Sequence, residues 1–311
     1  MYLDGHIHMR KGIGKGAGAA LMESLKNAGM DGGMILSESP ERPARPADAG
    51  VNGIAGGAAG GSGDTGVVAD DYKGRLDRLL EFCGASETLF PCFWIDPVSG
   101  DAVKQVEYAA RHVVAFKTIC SAHYPGDERA MDAYSAIAAA GKPILFHSGI
   151  LWDGRPSSKY NMPHQFECML DVPGIRFALA HISWPWCDEC IAVLGKCMNA
   201  LVGRPELKVE MFVDTTPGTP VRWRRDALEK LLCGDYDVLH NVMFGSDCSA
   251  ANYNTEWTKS WLERDRGILK ELFADDGERA AYDRQIFGGN LLRFLGKSGG
   301  PVDKRLPQVA V

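Results

Sequence analysis

Pro143-Ile144-Leu145-Phe146-His147 is apolar at four consecutive positions and then stops at a histidine. Phe177-Ala178-Leu179-Ala180-His181 repeats that wording further along the chain. A run that is apolar on both alternating faces suits a parallel strand covered by helices, because neither face meets water. Reading outward, such runs recur at Tyr2–His8, Gly33–Ser37, Leu89–Ile95, Val113–Thr118, Pro143–His147, Ile175–His181, Lys208–Asp214 and Asn241–Asp247, eight in all. Helical periodicity fills the gaps at Ala17–Ala28, Tyr72–Cys83, Asp101–Ala110, Asp127–Ala140, His164–Leu170, Asp188–Met198 and Arg224–Leu232. Glu256–Leu272 and a closing helix over Asp283–Leu295 follow the eighth strand, and Gly141 supplies a helix C-cap just before Pro143. Eight strand–helix alternations over about 250 residues predict an α/β fold, a closed (β/α)8 TIM barrel, rather than an open doubly wound sheet. The whole chain, residues 1–311, reads as one such domain.

Composition narrows the function classes. A formal net charge of −6 and the absence of Lys/Arg runs argue against nucleic acid or an anionic membrane as partner. The cluster Arg222/Arg224/Arg225 is too small for a phosphate-binding patch. No stretch approaches the roughly 20 apolar residues of a membrane span, and MYLDGHIHMR lacks the look of a secretory leader. Nine cysteines, an odd number, fit free thiols in a reducing cytosol, so a cytoplasmic protein is expected.

Two glycine-rich stretches need placing. Gly12–Gly18, GIGKGAG, has the wrong spacing for either common phosphate loop and reads as a plain loop. Glu38–Asp70, with ERPARP and GIAGGAAGGSGDTG, is a long Gly/Pro-rich loop after strand two, on the face where barrel active sites sit. It is either a lid over substrate or an insertion without catalytic importance.

The chemistry gathers at strand ends. In Asp4-Gly5-His6-Ile7-His8 the two histidines stand at i and i+2, so both project to one side of the first strand, toward the interior. Two parallel imidazoles can share one cation at about 2.0–2.1 Å. An HxH alone is weak evidence. His147, His181 and Asp247 strengthen it, because each closes an apolar strand on the face that hosts barrel chemistry. Burying such groups unpaired is costly, and a shared cation supplies the missing partner.

DGHIH, the FK of AFKTI, GKPILFHSG, FALAHIS with WPW, MFVDTT, MFGSDCS and IFGGNLLRFLG occur in this order over nearly the whole chain. As a set they resemble the amidohydrolase superfamily, specifically its amidohydrolase-2 branch of metal-dependent hydrolases and non-oxidative decarboxylases. The resemblance implies that His6, His8, His147 and Asp247 bind one divalent metal ion, zinc foremost and manganese as the variant, with His181 beside it. Homodimers are common in that family, although no stretch here identifies an interface.

Roles follow from chemistry. Asp247 can take a proton from an attacking water, and His181, which titrates near neutrality, can shuttle protons or contact a substrate oxyanion. These two are the expected catalytic residues. Lys117, at the end of strand four, reads as a substrate-binding residue or buried ion-pair partner; carbamylated, it would instead bridge a second metal, as in binuclear members of the superfamily. Trp152, Trp184 and Arg155 are further substrate-binding candidates, the indoles against a planar substrate and the guanidinium against a carboxylate. Trp186 is open to the same reading. Asp214 ends strand seven and reads as a turn-former. The CxxC at Cys187–Cys190 has no second pair for a structural zinc and no thioredoxin-like surroundings, so it reads as ordinary packing.

Three functions compete. The preferred one is metal-dependent hydrolysis of a small, carboxylated ester, lactone or amide. The second is non-oxidative decarboxylation of an aromatic or unsaturated carboxylic acid on the same site. The third is a non-catalytic metal-binding scaffold. Ile182-Ser183-Trp184-Pro185 after His181 and SDCSAANYN after strand eight depart from the wording usual among the branch's decarboxylases, which favours hydrolysis.

Overall fold

The structure is a computed structural model that describes residues 1–14, 16–40 and 70–297. The chain runs β1 (Leu3–His8), α1 (Ala17–Asn27), β2 (Gly32–Leu36), α2 (Tyr72–Cys83), β3 (Leu89–Trp94), α3 (Ala102–Ala109), β4 (Ala115–Thr118), α4 (Glu128–Ala139) and β5 (Pro143–Phe146). It continues through β6 (Arg176–Leu179), α5 (Cys187–Gly203), β7 (Glu210–Asp214), α6 (Val221–Leu232), β8 (Val242–Met243), β9 (Cys248–Ser249), α7 (Thr255–Leu272), α8 (Asp276–Arg284) and α9 (Asn290–Phe294). The strands form one curled parallel sheet in the order β8-β7-β6-β5-β4-β3-β2-β1-β9. Its two end strands come from a single run of chain: β8 pairs with β7, and β9 pairs with β1 at Ile7↔Cys248 and His8↔Ser249. Between them Phe244 O accepts from Gly5 N at 2.9 Å, and Asp247 N donates to His6 O at 3.0 Å.

Burial sorts the strand residues into two populations. Met34, Leu36, Phe90, Cys92, Ala115, Leu145, Ala178, Phe212 and Met243 face inward, with Leu291, Phe294 and Leu295 of the closing helix packed below them. Ile35, Phe93, Phe116, Ile144, Phe146, Phe177, Leu179, Met211 and Val213 face outward onto the helices. Each such side chain taken out of water contributes about 1.5–3 kcal/mol. The side-chain alternation then places the functional residues: Trp94, Lys117, His147 and Asp214 each stand two positions beyond an inward apolar residue. β1 needs an irregularity to join them. Leu3 points inward, and a register shift between Asp4 and Ile7 changes the parity, so that Ile7 faces the helices while His6 and His8 turn inward.

Several boundaries differ from the sequence reading. The sixth strand stops at Leu179, two residues before His181, because His181, Ile182 and Ser183 all take positive φ values (64°, 47° and 54°) that no strand accommodates. The eighth is split into β8 and β9 for a similar reason, with Asp247 at φ 60°. His164–Leu170 lies in a 3-10 helix spanning Pro163–Asp171. The closing helix is broken into α8 and α9 by a π turn at Gln285–Gly289, where Ile286 O accepts from Phe244 N. Most of the Gly/Pro-rich stretch read as a lid or insertion, residues 41–69, lies outside the described residues, as do Lys15 and residues 298–311. Its described flanks are fastened: Asp70 is gripped by Arg75, and the Glu38 carboxylate by Arg78. No described helix is long and apolar enough to cross a membrane.

Candidate active centre

His6 and His8 leave β1 with their rings 5.0 Å apart and converge on Asp247 from the split eighth strand. Asp247 Oδ1 lies 3.0 Å from His8 Nε2 and 3.7 Å from His6 Nε2. Among the described residues this is the group of three whose ligand atoms all fall within 4.8 Å of one another. His6 is buried, His8 partly so, and the Asp247 side chain is 38% exposed, which leaves the centre open to solvent on one side.

Behind His6 stands Asp214. Its Oδ2 accepts from His6 Nδ1 at 2.7 Å, while Oδ1 accepts from the Thr216 backbone N–H at 2.5 Å and from the Thr216 hydroxyl. A carboxylate on one ring nitrogen fixes the tautomer and leaves the other with its lone pair outward, the state a metal ligand needs. The reading of Asp214 as a turn-former is therefore incomplete: one side-chain oxygen does accept the Thr216 backbone N–H, yet the other orients His6. The signal was available, since Asp214 ends its strand as His147 does. Gly245 permits this close approach, because a Cβ there would meet Thr216 Oγ1 at 2.6 Å and His6 Cβ at 2.7 Å.

His147 and His181 flank the group. Their rings lie 5.0 Å apart, and the His181 ring is 5.5 Å from that of His6. His147 stands outside the three-residue cluster, its Nε2 3.2 Å from Ile150 O. His181 Nδ1 is buried with no hydrogen-bond partner among the described residues. Gly218 makes room for it, since a Cβ there would lie 2.8 Å from His181 Cβ. Left-handed backbone at a non-glycine residue costs on the order of 1–3 kcal/mol and persists where the surroundings over-determine it. His181 and Asp247, both expected to be catalytic, both show it.

The electrostatics suit a cation. Burial lowers His6, His147 and His181 below the ordinary imidazole value, so all three are neutral near pH 7. Burial pushes Asp214 and Asp247 upward, but hydrogen bonds from the imidazoles and Thr216, joined by the imidazoles' positive charge once acid protonates them, outweigh it and hold both carboxyls below the usual range. Neutral imidazole and ionised carboxylate are the ligand forms of these groups. Two converging imidazoles and one ionised carboxylate thus fit a divalent ion. Lys117, fully buried, is pushed down to about 8 by burial against the opposing pull of Asp214 and Asp247.

The other expected substrate contacts are placed less centrally. Trp184 follows His181 by three residues, its N–H donating to His181 O at 3.0 Å, and its ring stands 5.5 Å from Trp223, a residue the sequence did not single out. Trp152 is 68% exposed on the loop after β5, and Arg155 is exposed on the same loop, its N–H donating to Asp153. Trp94 was missed as well; its ring lies 5.7 Å from that of His8. Cys187 and Cys190 are buried free thiols raised to about 11 and about 12 by burial, in keeping with packing.

A curled parallel α/β sheet with histidines and carboxylates converging where its strands end defines an enzyme-like scaffold with one candidate centre among the described residues. More particularly, the chain belongs to the amidohydrolase family, whose model matches residues 4–297. No curated protein matches the chain. Among solved structures, a 2,6-dihydroxybenzoate decarboxylase complexed with 2,6-dihydroxybenzoate is similar at 12% identity and a TM-score of 0.54, covering 95% of this chain and 98% of that one. L-hydantoinase (dihydropyrimidinase) from Arthrobacter aurescens is similar at 14% identity and TM-score 0.53, over 95% of this chain and 70% of that one. Dihydroorotase from Campylobacter jejuni is similar at 13% and 0.51, over 95% and 83%. At such identities these likenesses bear on the fold.

Proposed function

We propose that this chain is a metal-dependent hydrolase of a small, carboxylated ester, lactone or amide, built as a single (β/α)8 barrel in which β8 and β9 are two halves of one strand. The observation that carries the reading is the convergence of His6, His8 and Asp247 within 4.8 Å, with Asp214 held on the far nitrogen of His6. His6, His8 and Asp247 would hold one divalent ion, with His147 as fourth donor: its Nε2–H donates to Ile150 O, which leaves Nδ1 as the free lone pair. Zinc suits the donor set best, and manganese tolerates it. A divalent cation there supplies Lewis acidity, polarising a substrate carbonyl and acidifying a water molecule at neutral pH.

This chain's own groups do the rest. Asp247, ionised and open to solvent, accepts the proton of the attacking water. His181 has no acceptor for a proton on Nδ1, so its proton sits on Nε2, where it can be donated to the oxyanion or the leaving group. Lys117 offers a positive charge to a substrate carboxylate, and Trp184 walls the approach. Trp152 and Arg155 reach the substrate only if their loop brings them inward.

Decarboxylation of an aromatic or unsaturated acid is the second reading, favoured by the Trp184–Trp223 pair as a surface for a planar ring. Elemental analysis of the purified protein together with a substrate screen that follows both acid release and CO2 separates the two. Acid release with incorporation of solvent oxygen is expected; CO2 without it would replace hydrolysis by decarboxylation. Protein with full metal occupancy that turns over nothing in a broad panel would point to a binding scaffold.

A further inference from the structure

Ser246 and Asp247 lie between β8 and β9, and side chains from β1 and α7 hold Ser246 directly. Asp4 Oδ1 accepts from the backbone N–H of His6 at 3.0 Å and of Ser246 at 2.9 Å, so one carboxylate oxygen spans the two segments that carry His6 and Asp247. Oδ2 of the same carboxylate accepts from the Tyr253 hydroxyl at 2.7 Å. Trp257 Nε1 donates to Ser246 O at 3.1 Å. Tyr253 lies in the loop after β9 and Trp257 in the first turn of α7, whose N-cap Asn254 accepts from the Trp257 N–H. Pairing of β1 with β9 does not require these bonds, since Ile7↔Cys248 and His8↔Ser249 already supply it. Their common point of action is Asp247, a non-glycine residue at φ 60° that stays there only while its neighbours fix it.

We propose that Tyr253 is a positioning residue for the metal centre: its hydroxyl orients the Asp4 carboxylate, and through Asp4 it sets the spacing between His6 and Asp247. This rests on the assignment of His6, His8 and Asp247 as metal ligands. Asp4 is fully buried and gathers its donors on both oxygens. Without the Tyr253 donor, Oδ2 has reason to swing toward Ser246, loosening the bridge from Oδ1 to His6. The SDCSAANYN wording after the eighth strand, a departure from the branch's usual pattern, thereby gains a purpose: it brings a phenol to Asp4.

The test is Tyr253→Phe, which keeps the half-buried ring and deletes the hydroxyl. Metal-free protein is titrated with Co2+ alone, and the visible absorption bands report affinity and ligand geometry. Tyr282→Phe, on α8, which deletes a hydroxyl that donates to Leu232 O at the end of α6, controls for general softening. We expect Co2+ affinity to fall roughly 10–100-fold in Tyr253→Phe, the usual range for groups that orient metal ligands, with altered bands. Tyr282→Phe should match the wild type. Wild-type affinity and bands in Tyr253→Phe would overturn the proposal, as would equal weakening in both variants. A wild-type protein that binds no Co2+ would overturn the metal-centre reading itself, and this inference with it.

Discussion

His6 Nδ1 donates to Asp214 Oδ2 across 2.7 Å, and both side chains are shut away from solvent. The pair joins β1 to β7 across the interior and decides which nitrogen of His6 is free. Removing the acceptor leaves a buried N–H without a partner and lets the ring rotate. Asp214→Ala should therefore lower metal affinity about 10–100-fold, measured by competition with a chromogenic chelator. Asp214→Asn, whose amide oxygen can still accept, should fall between. Equal affinity in all three proteins would mean that Asp214 serves only its own turn at Thr216.

Strand-end arithmetic made most of this centre legible. Apolar runs located the strands, their ends pointed to Lys117, His147 and Asp247, and period-two spacing put His6 and His8 on one side of the first. It failed where the backbone leaves the regular period. The irregularity between Asp4 and Ile7 has no signature in residue type, and aspartate and histidine, although they enter the left-handed region more often than most residues, do so too seldom for their identity to mark Asp247 or His181. Contacts made across long sequence separation were equally invisible. Asp4 was quoted as part of a motif, yet nothing local shows that its carboxylate bridges to Ser246 and Tyr253.

Burial predicts thiol behaviour. The thiolate is the reactive form, and Cys187 and Cys190 are raised to about 11 and about 12. Cys233 is the exposed one among the nine free cysteines. Native protein treated with a disulfide-exchange reagent near pH 8 should release one equivalent quickly, lost in Cys233→Ser, and the remainder only on unfolding. Rapid loss of two thiols with formation of a Cys187–Cys190 disulfide would restore a redox role to the CxxC.

Lys117 gives a pH signature in the metal-free protein. Its native value of about 8 lies below the 10.5 of the free side chain, mainly because burial disfavours the charge. Between those two values the unfolded chain binds a proton that the native chain has released, so stability rises with pH across that window. Below about 8 both states are protonated, and the term is flat. Against Lys117→Met, which lacks the group, wild-type stability in denaturant should gain about 1–2 kcal/mol between pH 7.5 and 9.5, from the shift in Lys117. Parallel curves for the two proteins would show that Lys117 keeps its proton when buried, with its native value no lower than that of the free side chain.

His147 separates a core of ligands from a supporting one. His6, His8 and Asp247 converge without it, whereas its ring leans toward His181 and ties Nε2 to Ile150 O. That carbonyl belongs to the loop whose Ile150 N–H is bonded to Trp184 O, so the loops after β5 and β6 are tied to each other. Deleting a member of the convergent group removes a donor that nothing else replaces. Deleting His147 leaves three donors and an open position that solvent can fill. A His6→Ala/His8→Ala double variant should thus emerge from purification folded and without stoichiometric metal, whereas His147→Ala should retain metal with weakened affinity and lose turnover. Elemental analysis before and after dialysis against chelator reads both. Stoichiometric metal in the double variant would remove these histidines from the ligand set, and metal as firmly held in His147→Ala as in the wild type would confine His147 to tying its loop to Trp184.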